Sequence, residues 1–323
     1  MTIAPGLTGL TVLLVSYNTR ALLAPCLDAL QVALRSAPAT KIIVVDNASA
    51  DDSVAFLQAN YPQVELIRSE RNVGFGRANN LALPSIDTPY VLLLNTDAFV
   101  EPDTIAKTLA YMEATPRCGI VGVRLIGRDG LLQPSCRYFP TPLNSFISRA
   151  GLDRWFKGVR LIDDMQWDHA TVRSCDWVPG CYYLIRKSVI DQVGLFDPRY
   201  FLYYEEVDHC FATKAAGWEV AYFPDTSVVH LGGESAKSEG QITKGSQQLE
   251  SMQMESALLY FRKNHGIAGL IGYMFLDFVA DLVLLARRLF RNQRPLDAGD
   301  FATRLGKTFK LLKATGFARR ATR

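Results

Sequence analysis

An α/β protein with a mostly parallel central sheet and a C-terminal helical extension is the fold class the sequence predicts. Short Val-, Ile- and Leu-rich runs alternate with helix-like stretches through the first hundred residues. Polar clusters stand directly after those runs, and the chain changes to long helical sequence after about Glu234. The 323 residues suit about two domains and a core that needs no disulfide or structural metal. At 49% hydrophobic and 21% charged, the composition excludes wholesale disorder, a collagen-like repeat and a polytopic membrane protein. Six cysteines without C-x-x-C or zinc-like spacing read as reduced, mostly buried thiols of a cytosolic chain.

The elements follow in order. Thr11 to Val15, Lys41 to Val45, Val64 to Ile67 and Tyr90 to Leu94 are strands, too short for helices. Ala21 to Leu34, Ser53 to Asn60 and Gly76 to Leu83 are the helical crossovers between them. Polar residues past the carboxyl ends of such strands line a ligand crevice, and that place is held by Ser16-Tyr17-Asn18, Asp46-Asn47 and Asn95-Thr96-Asp97. The middle, Ile120 to Phe223, is less regular, with a strand over Cys181 to Arg186 and a helix from about Glu205 to Gly217. Helix-like sequence resumes from Gln248 to Lys263.

Several segments carry chemistry. Asp46 ends a strand where a carboxylate can accept from a nucleobase imide or a ribose hydroxyl, whereas Asp52 and Ser53 read as helix caps. In Arg71 to Asn80 (RNVGFGRANN), Gly74 and Gly76 allow close backbone approach, and the helix behind them would offer amides to a diphosphate. No G-x-G-x-x-G/A follows the first strand, which argues against a hydride-transferring enzyme. Asn95 and Asp97 stand at the tip of a strongly apolar strand, where Asp97 beside a diphosphate would hold Mg²⁺ or Mn²⁺. Glu205, Glu206 and Asp208 open a helix behind an aromatic run. The helix dipole stabilises such acids, and an aromatic wall also desolvates a carboxylate into a general base. His230 follows a short apolar run, while His169, His209 and His265 read as ordinary core or surface residues.

Seven segments, VSYN, VVDNASADDS, RNVGFGRANN, LLLNTDA, DWVPGCYYLIRK, VGLFDPRYFLYYEEVDHC and VVHLGGES, occur in that order between about Leu10 and Ser235. Together they resemble family 2 inverting glycosyltransferases, most closely the rhamnosyltransferase-like branch that builds bacterial cell-surface glycans. The resemblance implies a GT-A fold and a nucleotide-diphosphate sugar donor, with dTDP-rhamnose favoured. It implies donor contacts from Ser16, Asn18, Asp46, Asn72, Gly74, Arg77, Asn79 and Asn95, and a metal held by Asp97 with His230. Asn95 replaces the first acid of the family's D-x-D motif, leaving Asp97 as its one carboxylate ligand. Glu206 takes the base position, with Glu205 and Asp208 as orienting or second-choice acids, and Trp177 and Gly180 shape the acceptor or sugar pocket. The acceptor is expected to be a polyprenyl-diphosphate-linked sugar or another glycan. A UDP-hexose donor and a non-catalytic nucleotide-sugar-binding scaffold are the alternatives.

The catalytic domain is expected over residues 1–235 and a membrane-associating helical region with a basic tail over 236–323. From Arg287 onward eleven Lys or Arg face only Asp297 and Asp300, a tail of net +9 that leaves −6 for the rest. A nucleic-acid binder would need basic charge in the folded part, so that class is excluded. Ile267 to Ala286 is apolar except for Asp277 and Asp281, and each carboxylate would cost about 2.5–3.5 kcal/mol at a bilayer centre. Lying in the interface of an anionic leaflet, with Arg287, Arg288, Arg291 and Arg294 alongside, is the favoured reading; a buried helix with a solvated tail is the alternative. Met1 to Gly9 has no positive n-region, so no secretory leader is expected there, and the protein is placed in the cytoplasm on the inner face of a bacterial plasma membrane.

Overall fold

The computed structural model describes residues 9–37, 40–232, 245–290 and 298–323. The 235/236 boundary, Arg291, Arg294 and all but the last residue of the Met1 to Gly9 stretch lie outside the described residues, as does the side chain of Arg288. The first four long strands are β1 (Leu10–Ser16), β2 (Thr40–Asp46), β3 (Glu65–Arg68) and β4 (Tyr90–Leu94). They alternate with α1 (Arg20–Leu34), α2 (Ser53–Asn60) and α3 (Phe75–Leu81). Then follow β5 (Ala98–Val100), α4 (Thr104–Ala114), β6 (Cys118–Ile126), β7 (Leu132–Gln133), α5 (Pro142–Ala150) and β8 (Arg173–Cys175). β9 (Tyr182–Arg186), α6 (Lys187–Val193), α7 (Glu205–Ala215) and β10 (Glu219–His230) complete the sheet layer.

The sheet runs β3-β2-β1-β4-β9-β6-β10-β5, with β7 on β6 and β8 on β10. β3, β2, β1 and β4 are parallel neighbours, as the alternation with crossover helices requires. β9 enters antiparallel between β4 and β6, and β5 closes the far edge antiparallel to β10. Strand periodicity sorts the core into two faces. Leu10, Val12 and Leu14 of β1 pack with Leu27 of α1 and Leu109 of α4, while Leu13 packs on the other face with Ala78 of α3 and Val207 of α7. All six cysteines are buried free thiols.

The C-terminal helices join this body. α8 (Gly245–Phe290) breaks at Gly266, whose φ of 69° a side-chain-bearing residue rarely adopts, and α9 (Ala298–Ala314) follows. Before the break, Leu259, Tyr260 and Phe261 enter the second core. Lys263 and Asn264 reach Asp208 at 2.6 and 2.8 Å, and Thr322 closes the chain end onto Glu255. Beyond the break, α8 lies along α5: Arg149 meets Asp277 at 2.5 Å and also Asp281, and Arg304 of α9 meets Asp277. The two carboxylates that make spanning expensive are thus turned into the protein and neutralised there. Arg287 is occupied by the carbonyls of Ala150 and Gly151, where it caps α5 instead of extending toward lipid.

One contact positions the site. The loop before α3 docks on the loop before α7, where the Phe75 amide donates to the Phe201 carbonyl at 2.9 Å. Gly74 has φ +87°, and a Cβ there would drive into the Phe201 carbonyl oxygen. A Cβ on Gly76 would meet Phe196 Cβ at 3.2 Å and Glu205 Cβ at 3.5 Å. Both glycines therefore buy close approach between α3 and α7. Gly74→Ala should cost about 1–2 kcal/mol for the left-handed backbone and a further about 1–3 kcal/mol for overpacking. A clearly lowered Tm is the expected outcome, and an unchanged melt would contradict the contact.

Candidate active site

The strand tips hold the donor-side residues, and their bonds sort them. Asp46 is buried; its Oδ2 accepts from the Ser49 amide at 3.2 Å, while its Oδ1 is buried with no protein partner. A buried carboxylate oxygen left open is costly unless a donor meets it, so Asp46 has an oxygen available to a ligand. Asn18 Oδ1 accepts from the Ala50 amide at 2.7 Å and its own backbone amide donates to Ser49 Oγ at 3.0 Å, which ties the tip of β1 to the loop after β2.

Four donor-side expectations need correction. Ser16 is fully buried and its hydroxyl meets Thr19 at 3.0 Å, because the strand's alternation turns it into the core. Asn79 is buried and bonds back to the Phe75 carbonyl one helical turn earlier. Arg77 is spent on the carbonyls of Pro198 and Arg323. The glycine loop is not a free amide cradle: the Val73, Gly74 and Phe75 amides go to Asn47 Oδ1, Asn72 Oδ1 and Phe201 O. Asn72 accordingly braces the loop, together with Asn47, whose amide donates to it at 3.0 Å. Asn47 went unassigned in the sequence although it belonged to a polar strand tip, because a bracing amide and a ligand-binding amide look the same in a string of letters.

Asp97 lies buried at the end of β4 beside Asn95, whose backbone amide donates to the Cys181 carbonyl at 3.1 Å. His230, at the end of β10, puts Nε2 3.6 Å from Asp97 Oδ1. Its Nδ1 meets Gln133 Oε1 at 2.9 Å, while Gln133 Nε2 donates to the His230 carbonyl at 3.0 Å. That second bond fixes the amide orientation, so Nδ1 must carry the ring proton and Nε2 presents its lone pair toward Asp97. Burial holds the imidazole below its ordinary pKa against the pull of Asp97, keeping it neutral as a ligand must be. Two donors each about 2.1 Å from one ion can stand up to about 4.2 Å apart, so this pair fits a shared divalent cation. No group of three or more candidate ligands occurs among the described residues, which leaves the remaining positions to diphosphate oxygens and water. Gln133 was not visible as a site residue from the sequence, since β7 is too short to carry a pattern.

The acid side is built at the start of α7. Tyr203 and Tyr204 both have positive φ, 69° and 68°, a strain of about 1–3 kcal/mol each that turns the chain sharply into the helix. Glu205 and Glu206 each leave Oε2 buried without a partner. Burial, then the neighbouring Glu206, pushes Glu205 well above the usual carboxylate range. Glu206 is also raised by burial, with the Arg137 guanidinium pulling it back down. The two carboxyls titrate as a pair, with Arg137 favouring the charged form of Glu206. Asp208 is different: Lys263, Asn264 and Tyr200 occupy both its oxygens, so it ties α7 to α8 and has no oxygen to spare for a proton relay. His209 is held between the Tyr183 hydroxyl and the Gly194 carbonyl and is pushed by burial to about 4, an ordinary core histidine.

Burial pushes the Cys181 thiol up, and the charges of Asp97 and Glu206 add to it. A Cβ on Gly180 before it would stand 3.5 Å from the Phe75 ring, and Trp177 donates its indole N–H to the Tyr138 carbonyl beneath the Arg137 guanidinium. Trp177, Arg137 and Glu206 line one cavity of about 350 Å³.

The sequence model of Glycosyl transferase family 2 matches residues 11–163. The chain is 29% identical over 209 residues to N-acetylglucosaminyl-diphospho-decaprenol L-rhamnosyltransferase of Mycobacterium tuberculosis, covering 58% of this chain and 66% of that protein, just under two thirds. It is 28% identical to rhamnosyltransferase WbbL of Escherichia coli K12 (59% of this chain, 72% of that one) and 25% identical to dTDP-rhamnosyl transferase RfbF of Shigella flexneri (69% and 71%). Among solved structures, mannosyltransferase PcManGT of Pyrobaculum calidifontis, in complex with GDP-Man and Mn²⁺, superposes with a TM-score of 0.55 at 17% identity, over 99% of this chain and 86% of that one. S. aureus TarS 1-349 does so at 0.50 and 14%, over 95% and 91%. With the mixed sheet and its strand-tip acids in place, residues 11–163 match glycosyl transferase family 2 and the chain has a GT-A fold.

Proposed function

We propose that the chain is an inverting glycosyltransferase that moves a sugar from a nucleotide-diphosphate donor, dTDP-rhamnose in the favoured case, to a hydroxyl of a lipid-linked or polysaccharide acceptor. The observations that carry this are the open, buried oxygen of Glu206 beside a cavity and the Asp97 and His230 pair at the strand tips. Inversion needs a base on one side of the anomeric carbon and charge neutralisation on the other. Glu206 would take the acceptor hydroxyl proton as the new glycosidic bond forms, and the bond from the anomeric carbon to the diphosphate would break with its electron pair leaving on the diphosphate. A bound divalent cation would offset the charge on that leaving group. Asp97 and His230 would hold the cation, and an imidazole ligand favours Mn²⁺ over Mg²⁺. Asp46 would meet the nucleoside. The names of the rhamnosyltransferase relatives support the sugar and the lipid-linked acceptor.

The same reading puts the protein on the cytoplasmic face of a bacterial plasma membrane, against an anionic leaflet. The stretch Gln248–Arg287 is long and apolar enough by composition to cross a bilayer, yet it breaks at Gly266 and turns Asp277 and Asp281 inward. Ile267, Ile271, Phe275 and Leu282 share its outward stripe, with Ile271 and Phe275 60% and 63% exposed. This is the pattern of a helix lying in the interface.

Three outcomes test the proposal. Glu206→Gln should lower transfer about 10²–10⁴-fold while leaving nucleotide affinity intact. Because the folded-state pKa is raised, ionised Glu206 costs stability as pH rises through that value, so the variant should melt no lower than the parent at pH 7.5. Full turnover in the variant would reject the base. Asp97→Ala should abolish Mn²⁺-dependent binding of dTDP in calorimetry, and Gln133→Leu should weaken it about 10–100-fold; affinities indifferent to Mn²⁺ would reject the site. Ile271→Glu combined with Phe275→Glu should cut binding to anionic liposomes at least about tenfold, since each apolar side chain contributes about 1.5–3 kcal/mol when buried. Undiminished sedimentation with the vesicles would remove the membrane from the account.

A further inference from the structure

Backbone strain is concentrated just before the acids of α7. Tyr203 and Tyr204 are two consecutive left-handed residues, with φ of 69° and 68°, between the loop from Asp197 and the first turn of the helix. Tyrosine has no preference for that conformation, which persists only where the surroundings over-determine it. Relaxation of either residue would swing the start of α7, and Glu206 with it. The groups that hold this loop therefore decide where the acid points.

Restraints reach it from elements distant in the chain. On the α3 side, Arg77 Nε donates to the Pro198 carbonyl at 2.6 Å and the Phe75 amide to the Phe201 carbonyl at 2.9 Å. On the α8 side, the Ser256 hydroxyl donates to the Leu202 carbonyl at 2.9 Å. Lys263, also of α8, spans the strained pair: its Nζ lies 2.8 Å from Asp197 before it and 2.6 Å from Asp208 after it. The segment after α9 then joins the two sides. Arg77 Nη2 donates to the Arg323 carbonyl at 2.6 Å, and the Arg323 guanidinium stands 5.6 Å from the centre of the Phe201 ring. Both carboxylate oxygens of Glu255, the neighbour of Ser256, accept from Thr322 at 2.7 Å.

We infer that Arg77 and Ser256 are positioning residues for Glu206. They grip the loop carbonyls from two sides, the segment at Thr322 and Arg323 straps the two grips together, and the left-handed pair so held keeps the acid at the cavity. The inference rests on the transferase reading of Glu206 and extends it to residues of α3, α8 and the strap, which act through the loop. It gives Arg77 a duty other than the donor contact expected of it. A guanidinium presents its donors in a rigid fork, so one side chain can fix two segments relative to each other. Hydrogen bonds from such a charged donor are also about twice as strong as neutral ones.

The test compares the full chain with Arg77→Met and Ser256→Ala. It reads kcat for transfer from dTDP-rhamnose to a polyprenyl-diphosphate-linked sugar, dTDP affinity, and hydrogen exchange at the Tyr200 and Asp208 amides, which are bonded on either side of the strained pair. Arg77 is only half-buried, so its variant should fold. Arg77→Met should lower kcat about 10–100-fold with dTDP affinity unchanged, since a misplacement of about 1 Å at a reacting group is enough for that loss. Exchange at both amides should quicken while amides within β1 and β4 keep their rates. Ser256→Ala should move kcat and exchange in the same direction. Unchanged kcat in Arg77→Met, a fall in kcat without faster exchange in the loop, or a matching loss of dTDP binding would overturn the inference. Faster loop exchange in Arg77→Met, from a parent protein that turns over no nucleotide sugar, would instead leave the strap standing as a restraint on the loop and sink the transferase reading.

Discussion

The site depends on two helices approaching without side chains between them. Gly74 and Gly76 let α3 settle on the loop before α7, and the Phe201 carbonyl receives the Phe75 amide where a Cβ would otherwise stand. This contact joins the parallel, strand-tip half of the molecule to the acid-bearing helix. Asn47 and Asn72 brace the loop from behind, so the Val73, Gly74 and Phe75 amides are consumed in holding the two halves in register. The glycine-rich segment is thus a joint in the scaffold more than a grip on the ligand.

Once the joint is made, α7 pays for its position in two ways. Tyr203 and Tyr204 take left-handed backbone, and Glu205 and Glu206 are set side by side out of water. Neither arrangement favours folding. Both make sense for a base that must be desolvated to work and aimed into a cavity. Asp208, one helical step away, serves the opposite end: its oxygens anchor α8 through Lys263 and Asn264. Three acids that look alike in sequence therefore have different surroundings: Glu205 is buried against Glu206, Glu206 opens to the cavity, and Asp208 is bonded to α8.

The C-terminal helices are integral to this arrangement. Their first half shares the second core, and their second half is clamped to α5 by a network of Arg149, Asp277, Asp281 and Arg304. Inward-facing charge and an outward apolar stripe on one helix give it two different neighbours at once. The break at Gly266 lets the two halves take different directions.

By itself the sequence determined the local structure and the chemical inventory. β4 and α2 fall on the residues read from apolar runs and caps, and the ordered segments pointed to the family whose model matches residues 11–163, because hydrophobic periodicity and motif order are properties of neighbouring residues. What it left undecided was where each polar side chain points. Ser16 and Asn79 were read as donor contacts and turned out to be core residues, Arg77 and Asp208 were bound to other segments, and Gln133 and Arg137 gained importance only through partners about a hundred and about seventy residues away in the chain. Side-chain direction follows from strand register and helix packing, which bring together residues that no local pattern relates; only the tertiary structure could decide it.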